Sequence, residues 1–317
     1  MALFKDLDGL IGRRLRLRDL RVFMAVVEAR SMAKAASNLG VSQPAVSEIV
    51  ASLEHALRVR LFDRKPQGVE LTSYGEALLR RSRSAFDEFK QGLREIEGLA
   101  DPTAGEVRVG CPESIAASVL PPILERFGKL YPRTIVHVEH VTTPTLELPQ
   151  LHERRVDVAI VRMPRDSKIS LENLQVQTLF DDHLVIAACA KSRWAQRGRI
   201  DLAELIDAPW ILTPDYAWNT AILAEALAAR SLPMPKIAVV TYSVQLRTRL
   251  LADGNYVTTF PNSVLRFGDP RLGLKELRVD IPLKPWPVVV VTLKNRTLSP
   301  VVQRFIEQAT LATRAIT

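Results

Sequence analysis

The chain has 317 residues, room for about two domains at ~150 residues each, and its 47% hydrophobic and 25% charged residues describe a globular protein, not a disordered or collagenous one. The net charge is +8, and half of it falls within residues 1–100, so the N-terminal third is the more basic part and suits either a polyanionic partner or a solvated helix face. No apolar run approaches the ~18 residues of a membrane helix, Asp6 and Asp8 interrupt any export signal, and Cys111 and Cys189 lie too far apart in sequence for a metal-ligand motif, so a reduced, cytoplasmic protein is expected.

In chain order, Arg13, Arg14, Arg16, Arg18 and Arg21 crowd the start. Leu17, Leu20, Phe23, Met24 and Val27 recur at helical spacing and predict an amphipathic helix over 16–30. Ser31 reads as the N-cap of a second, short helix with Ala35, Ala36 and Leu39 on one face, and Gly40 can take the positive φ that ends it. Ser42 caps a third helix with Pro44 in its first turn, where a missing N–H is harmless. Val46, Ile49, Leu53 and Leu57 point to the core, while Gln43, Ser47 and Glu54 face away. Two short helices around a tight Gly40-Val41 turn describe a helix-turn-helix whose third-helix tip enters a major groove, although the same periodicity fits an ordinary three-helix core.

Two short strands follow, Arg60 to Lys65 and Val69 to Thr72, around Pro66-Gln67-Gly68. They form a wing, and Arg58, Arg60, Arg64 and Lys65 make it basic. The ordered residues Ala35-Ala36, Leu39-Gly40-Val41-Ser42-Gln43-Pro44-Ala45-Val46-Ser47, Leu53-Glu54, Leu61-Phe62-Asp63-Arg64, Leu71-Thr72 and Gly75 closely resemble the winged helix-turn-helix of LysR-type transcriptional regulators. The resemblance implies that Ser42, Gln43, Pro44 and Ser47 meet base edges of double-stranded promoter DNA, while Ser31, Arg64 and Lys65 hold phosphates. Arg58 stands where the family commonly has glycine. Glu48 stands where a basic or amide residue is frequent, which bears on base preference.

From Ser73 to Leu99 no proline intervenes, and Leu78, Ser82, Ala85, Phe89, Leu93, Ile96 and Ala100 step by three and four, a coiled-coil-like seam. One helix cannot bury such a stripe alone. The resemblance makes 73–100 a linker helix after a DNA-binding domain of 1–72. It implies a homodimer through Leu78, Ala85, Phe89 and Ile96 that assembles to a homotetramer; packing onto its own domain is the alternative.

Beyond a break at 101–105, strands and helices alternate and predict an α/β architecture with parallel pairing. The expected strands include Glu106 to Cys111, Thr134 to Val141, Val156 to Arg162, Leu184 to Ala188 and Tyr256 to Phe260. The expected helices include Ile115 to Leu130, Thr145 to Arg154, Asp201 to Ile206, Trp218 to Arg230 and Val244 to Ala252. Element order and Val156-Asp157-Val158-Ala159-Ile160 resemble the family's two-lobed effector domain, similar to periplasmic solute-binding proteins. Lobe I is expected at 101–162 and 266–317, and lobe II at 163–265. Ligands of open sheets sit at strand C-terminal ends beside helix N-termini, which selects Ser114, Thr142, Thr143, Arg162, Thr213, Asn219 and Ser243 for a small anionic or polyhydroxylated effector bound between the lobes. Capping is the commoner role of such hydroxyls. Arg162, after a buried strand, needs a carboxylate such as Glu113 or Asp215, the solvent-filled cleft or an acidic effector.

The sequence holds no HExxH, Walker, GxGxxG or GxSxG motif, and His137 and His140 lie on opposite faces of one strand. Trp210, Tyr216 and Trp218 suit a core better than a pocket floor. The expectation is therefore a non-enzymatic, ligand-responsive regulator without cofactor or metal, partnered by promoter DNA, a small-molecule effector and RNA polymerase. An exported solute-binding protein would leave the first 72 residues without use, and an α/β enzyme would need a polar constellation in the cleft.

Overall fold

The computed structural model describes residues 15–65, 68–101, 103–141, 147–163, 171–215, 217–268, 270–279 and 285–314. The chain divides into two units, Met1–Lys90 and Gln91–Thr317. In the first, helices α1 (Leu17–Ala29), α2 (Met32–Leu39) and α3 (Gln43–Leu57) precede an antiparallel pair, β1 (Phe62–Lys65) and β2 (Gly68–Leu71). Helix α4 (Ser73–Ala100) then carries the chain across the division. The core joins Leu20, Phe23 and Val26 of α1 to the small Ala35 and Ala36, to Val46, Val50 and Leu53, and to Leu61 and Phe62 at the wing. The buried stripe of α1 differs from the expected one: Val26 is fully buried, Val27 only partly, and Leu17 is exposed because it opens the helix.

Local chemistry holds the wing to these helices. Glu54, expected on the free face of α3, instead turns inward, and its Oε1 accepts from Leu61 N (2.7 Å) and Phe62 N (3.2 Å). Thr72 Oγ1 donates to Arg60 O (2.7 Å) and accepts from Gly75 N (3.1 Å), so it caps α4 while gripping the strand before it. Gly75 is obligatory by space: a Cβ there would lie 2.2 Å from the Leu61 carbonyl oxygen. Arg58 closes α3 at φ 55°, the left-handed conformation that glycine takes most easily, which gives the glycine commonly found there in the LysR-type pattern a physical reason.

Along α4, Leu78, Leu79 and Phe86 pack on this unit's core and Ser82 is buried. Leu78 is thus partly buried on its own unit's core, the alternative packing expected for the seam. Ala85 is half-buried. Phe89, Leu93, Ile96 and Leu99 stand 59–79% exposed.

The second unit continues with β3 (Ala104–Cys111), α5 (Glu113–Ala116), α6 (Leu120–Leu130), β4 (Arg133–His140), α7 (Pro149–His152), β5 (Val158–Arg162), β6 (Leu174–Asp182) and β7 (Leu184–Cys189). Then come β8 (Trp210–Leu212), α8 (Trp218–Ala228), β9 (Ile237–Val240), α9 (Val244–Ala252), β10 (Val257–Pro261), α10 (Asn262–Phe267), β11 (Leu274–Glu276), β12 (Trp286–Leu293) and α11 (Pro300–Arg314). Lobe I is a five-stranded sheet in the order β4-β3-β5-β12-β6, and lobe II a five-stranded sheet in the order β11-β7-β10-β8-β9.

Both sheets are mixed, not parallel. In lobe I, β12 runs antiparallel to β5 and β6; in lobe II, β7 runs antiparallel to β10 and β11. In lobe I the reversed strand is β12, which returns from a distant stretch; lobe II is built from one continuous stretch, Leu184–Glu276, and its reversed strand is the first, β7. The expected lobe limits shift. Leu174–Asp182, assigned to lobe II from sequence, closes the lobe I sheet against β12, and Leu274–Glu276, assigned to lobe I, pairs with β7 in lobe II. The helix expected over Ile115 to Leu130 is broken into α5 and α6, because Pro121 and Pro122 lack the N–H groups a continuous helix needs and fit only a first turn. The helix expected over Thr145 to Arg154 is a single turn, Pro149–His152, with Thr145 outside the described residues, and Asp201 to Ile206 is a 3-10 turn at Leu202–Leu205.

A buried ion cluster joins α4 to lobe I. Arg296 bonds the Asp157 carboxylate (2.7 Å) and the Val156 carbonyl (2.7 Å), Arg94 approaches Asp157 at 3.5 Å, and Asp157 Oδ2 also accepts from Arg108 N (2.8 Å). With its amide turned oxygen inward, Gln91 accepts from both arginines at 3.2 Å. Among the described residues, no helix is long and apolar enough to cross a membrane.

The Gly75 contact gives a direct test. Gly75→Ala forces the wing strand away from α4 and should destabilise Met1–Lys90 by about 1–3 kcal/mol, the usual cost of overpacking. Circular dichroism melts of the full chain should show an earlier loss of helix, and an unchanged melt would mean that the Leu61 carbonyl yields freely.

Candidate functional site

In the first unit the tip of α3 presents the residues expected to meet nucleic acid. Ser42 is the N-cap, accepting from Ala45 N (3.4 Å), and Ser31 caps α2 by accepting from Lys34 N (3.4 Å). Both hydroxyls keep a proton to donate outward. Ser42, Gln43 and Pro44 are exposed, Ser47 is half-buried and Glu48 exposed. Lys65 is exposed and paired with Glu70 across the wing. The side chain of Arg64 lies outside the described residues, as do Arg13, Arg14, Pro66 and Gln67.

In the second unit a cavity of about 120 Å³ lies between the strand ends of the two lobes. Ser114, Arg162, Thr213 and Asn219 line it, as expected from strand-end positions. Thr142 and Thr143 lie outside the described residues. Ser243 does not line the cavity, although its neighbours Tyr242 and Val244 do. Its Oγ accepts from Leu246 N (3.2 Å), so it caps α9, and it donates to Glu113 Oε1 (3.4 Å). Thr213 turns its hydroxyl inward to Thr220 (2.9 Å) and presents little to a ligand. Trp218 and Trp286 form an apolar wall, packed edge to face with centroids 5.4 Å apart. Trp210, by contrast, is core, its Nε1 donating to Leu205 O (2.7 Å), and Tyr216 lies outside the described residues.

Arg162 is the most heavily bonded group at the cavity. Its Nε and Nη2 donate to Asp182 Oδ2 at 3.0 and 2.9 Å, Nη1 donates to Ser114 Oγ at 2.9 Å and Nη2 to Ser263 Oγ at 2.7 Å. The carboxylate partner is therefore Asp182, not Glu113 or Asp215. Ser114 does not cap its helix; the N-cap is Pro112, and the Ser114 oxygen serves Arg162. Burial pulls the Arg162 guanidinium below the ordinary arginine value, and the Asp182 charge and its hydrogen bond push it back up.

Arg247 also lines the cavity and was invisible as a site residue in sequence, where it is one polar position in an ordinary helix. It is 2% exposed. Its Nε and Nη2 donate to Thr258 Oγ1 at 3.2 and 2.7 Å, Nη2 donates also to the Thr259 carbonyl, and the guanidinium stacks 4.2 Å over Phe260. Among the described residues it donates no hydrogen bond to a carboxylate. Burial pulls it down, and the Glu113 charge counters that. Arg247, buried beside a tryptophan wall and bonded to no carboxylate, can orient an anionic head against an apolar body. Cys111, at the end of β3, is buried, and burial pushes its thiol up to about 12, so no reactive thiolate forms at neutral pH.

A family model described as "LysR substrate binding domain" matches residues 100–313, and one described as "Bacterial regulatory helix-turn-helix protein, lysR family" matches residues 17–76. The chain is similar to the HTH-type transcriptional regulator TdcA of Escherichia coli (strain K12), with 30% identity over 246 residues, 78% of this chain and 77% of that one. It is similar also to the regulator GbpR of Azospirillum brasilense, 26% identical over 288 residues, 90% of this chain and 83% of that one. Among solved structures, a full-length OxyR variant from Pseudomonas aeruginosa aligns with TM-score 0.66 at 20% identity, over 95% of both chains. Full-length CbnR complexed with its target DNA aligns with TM-score 0.64 at 23% identity, over 94% of this chain and 100% of that one. These two likenesses establish the fold.

Because Arg162 and Asp182 are both buried, removing one strands the other. Arg162→Met should destabilise the second unit by about 3–5 kcal/mol, and adding Asp182→Leu should recover part of that loss. All tryptophans of the chain lie in this unit, so denaturant unfolding followed by tryptophan fluorescence isolates it. A wild-type midpoint in the single variant would deny the pair this role.

Proposed function

The chain belongs to the LysR family of transcriptional regulators, a DNA-binding protein with an effector-binding domain, and from that premise we propose that its effector is a small organic anion held between the lobes. The observation that carries this reading is the cavity itself. It sets Arg162 and Arg247 beside the Ser114 hydroxyl, the Asn219 amide and the Trp218–Trp286 wall. At about 120 Å³ it is smaller than the ~300–1,000 Å³ of pockets for drug-sized ligands, which suits a compact acid. Hydroxyl and amide donors alone would suit a polyol; Arg247, whose hydrogen bonds go to a hydroxyl and a carbonyl and not to a carboxylate, favours a charged head.

At the other end, Ser42, Gln43, Pro44 and Ser47 read base edges, with Gln43 pairing through its amide, and Ser31, Arg64 and Lys65 hold phosphates. The exposed stripe Phe89, Leu93, Ile96 on α4, with Ala85 beside it, supports pairing of two chains, and further pairing to a homotetramer that meets RNA polymerase belongs to the same reading. In this account the cleft binds without chemistry and needs no cofactor.

The DNA half is checked by comparing operators with single-base changes. Gln43→Ala should lose about 1–3 kcal/mol of discrimination at one position per half-site, while Lys65→Ala should weaken all sequences alike and lower the log–log salt slope by about 0.9. An unchanged base ranking in the first variant would refute the docking. The effector half is checked by thermal shift of the full chain against small carboxylic acids and matched polyols. Acids should raise the melting temperature with the logarithm of concentration and perturb tryptophan emission. A response to polyols alone would overturn the anionic reading.

A further inference from the structure

The N-terminus of α9 is occupied by a carboxylate from the opposite lobe. Glu113, in α5 of lobe I, accepts through Oε1 from Val244 N at 2.9 Å, Gln245 N at 3.3 Å and Ser243 Oγ at 3.4 Å. Ser243 Oγ takes the next N–H, that of Leu246, and the Ser243 carbonyl takes that of Arg247. The free donors of this helix end are thus filled, the first two by a charge, in the way helix N-termini hold bound anions.

One turn along the same helix lies Arg247, 2% exposed and lining the cavity. Its hydrogen bonds go to a hydroxyl and a carbonyl, none goes to a carboxylate, and its Nη1 makes no hydrogen bond among the described residues. Glu113 supplies the charge that counters it at a distance. A buried guanidinium with an open donor beside a helix N-terminus is the electrostatic outline of an anion subsite.

Glu113 also stands in a revealing place. With Val244 it lines both the central cavity and a second one of about 420 Å³, bounded by Ala116, Thr248, Leu265 and Leu272. The two residues that meet in the clasp, Glu113 and Val244, are thus common to the linings of both cavities.

We propose that Glu113 is a tethered competitor of the effector: its carboxylate fills the α9 N-terminus, one turn from the buried Arg247, and an incoming carboxylate displaces it from this anion subsite. This inference rests on the anionic-effector reading above. Displacement breaks the hydrogen bonds that Glu113 of lobe I accepts from lobe II, so ligand entry and release of the interlobe clasp are one event. The effector's head is then a single carboxylate or an anion of like size, since it must replace one carboxylate on the same donors.

The test is chemical rescue with sodium acetate, against sodium chloride at equal ionic strength. In full-length Glu113→Ala the melting temperature of the tryptophan-bearing unit should fall. Acetate should restore it well beyond chloride, with a shift several-fold larger than in wild type. Adding Arg247→Met should abolish the rescue. Glu113→Gln keeps the size and an acceptor oxygen, so it guards against a variant that fails to fold. In it, half-maximal change of tryptophan emission should come at an acetate concentration at least tenfold below that of wild type, because a neutral occupant competes less well than a charged one. Equal acetate responses in wild type and both variants would overturn the proposal. So would a loss of stability that acetate does not repair. The acetate readout needs no natural effector, so acids that bind wild type while Glu113→Gln gains no acetate affinity would sink this inference alone. Acetate rescue with no acid binding wild type would sink only the effector reading.

Discussion

The effector lobes are organised around one buried charge pair, Arg162 with Asp182. Their side chains are 8% and 3% exposed, so neither can be left without the other. Arg162 ends β5 and Asp182 ends β6, at the point where the chain leaves lobe I for β7 of lobe II. Asp182 also accepts from His183 N (3.0 Å), from Ser263 N (3.2 Å) and from Ser263 Oγ (2.7 Å), which ties the crossing strand to the start of α10. One ion pair therefore fixes a strand end, a crossover and a helix start. Because those are the cleft's own walls, the position of Ser114 and the mouth of the cavity follow from it.

The winged helix-turn-helix depends on a different constraint, the close approach of backbone to backbone. Gly75 under the Leu61 carbonyl, and Gly68, where a Cβ would lie 2.4 Å from the Arg30 carbonyl oxygen, allow the wing to press on the helices. Glu54 then secures the entry to β1. These contacts leave the α3 tip undistorted, and its exposed side chains are carried on a rigid element instead of a loop.

That contrast explains what could be read from sequence. In the first 75 residues the determinants are local: caps at Ser31 and Ser42, a left-handed stop at Gly40, a glycine at each close approach. Local determinants leave an ordered trace in the residue string. Glu54 escaped because its helical phase is outward while its long side chain bends back to a strand seven residues on. The lobes are held by contacts distant in sequence, and there element order and strand-end positions were legible but the contacts were not. Leu174–Asp182 escaped because it is an edge strand whose outward residues Gln175, Gln177 and Thr178 blur the apolar alternation. Arg162 was marked out by its position at a strand end, but its partner was not, since nothing in the sequence brings residue 182 to residue 162. Arg247 and Glu113 show the same limit: a buried cation and a carboxylate seated on the opposite lobe's helix start become meaningful only when two lobes face each other.

The cluster of Asp157, Arg296, Arg94 and Gln91 has a practical corollary for dissecting the molecule. The covalently convenient place to separate the lobes from the rest of the chain is the break near residue 103, after the last turn of α4. A fragment cut there would carry Asp157 and Arg296 into solution without the two side chains that complete their bonding, and would uncover the lobe I surface on which Arg94 and Gln91 lie. The autonomous module therefore begins inside the helix, before Gln91, and the last turns of α4 are by packing a part of the lobe to which they are joined.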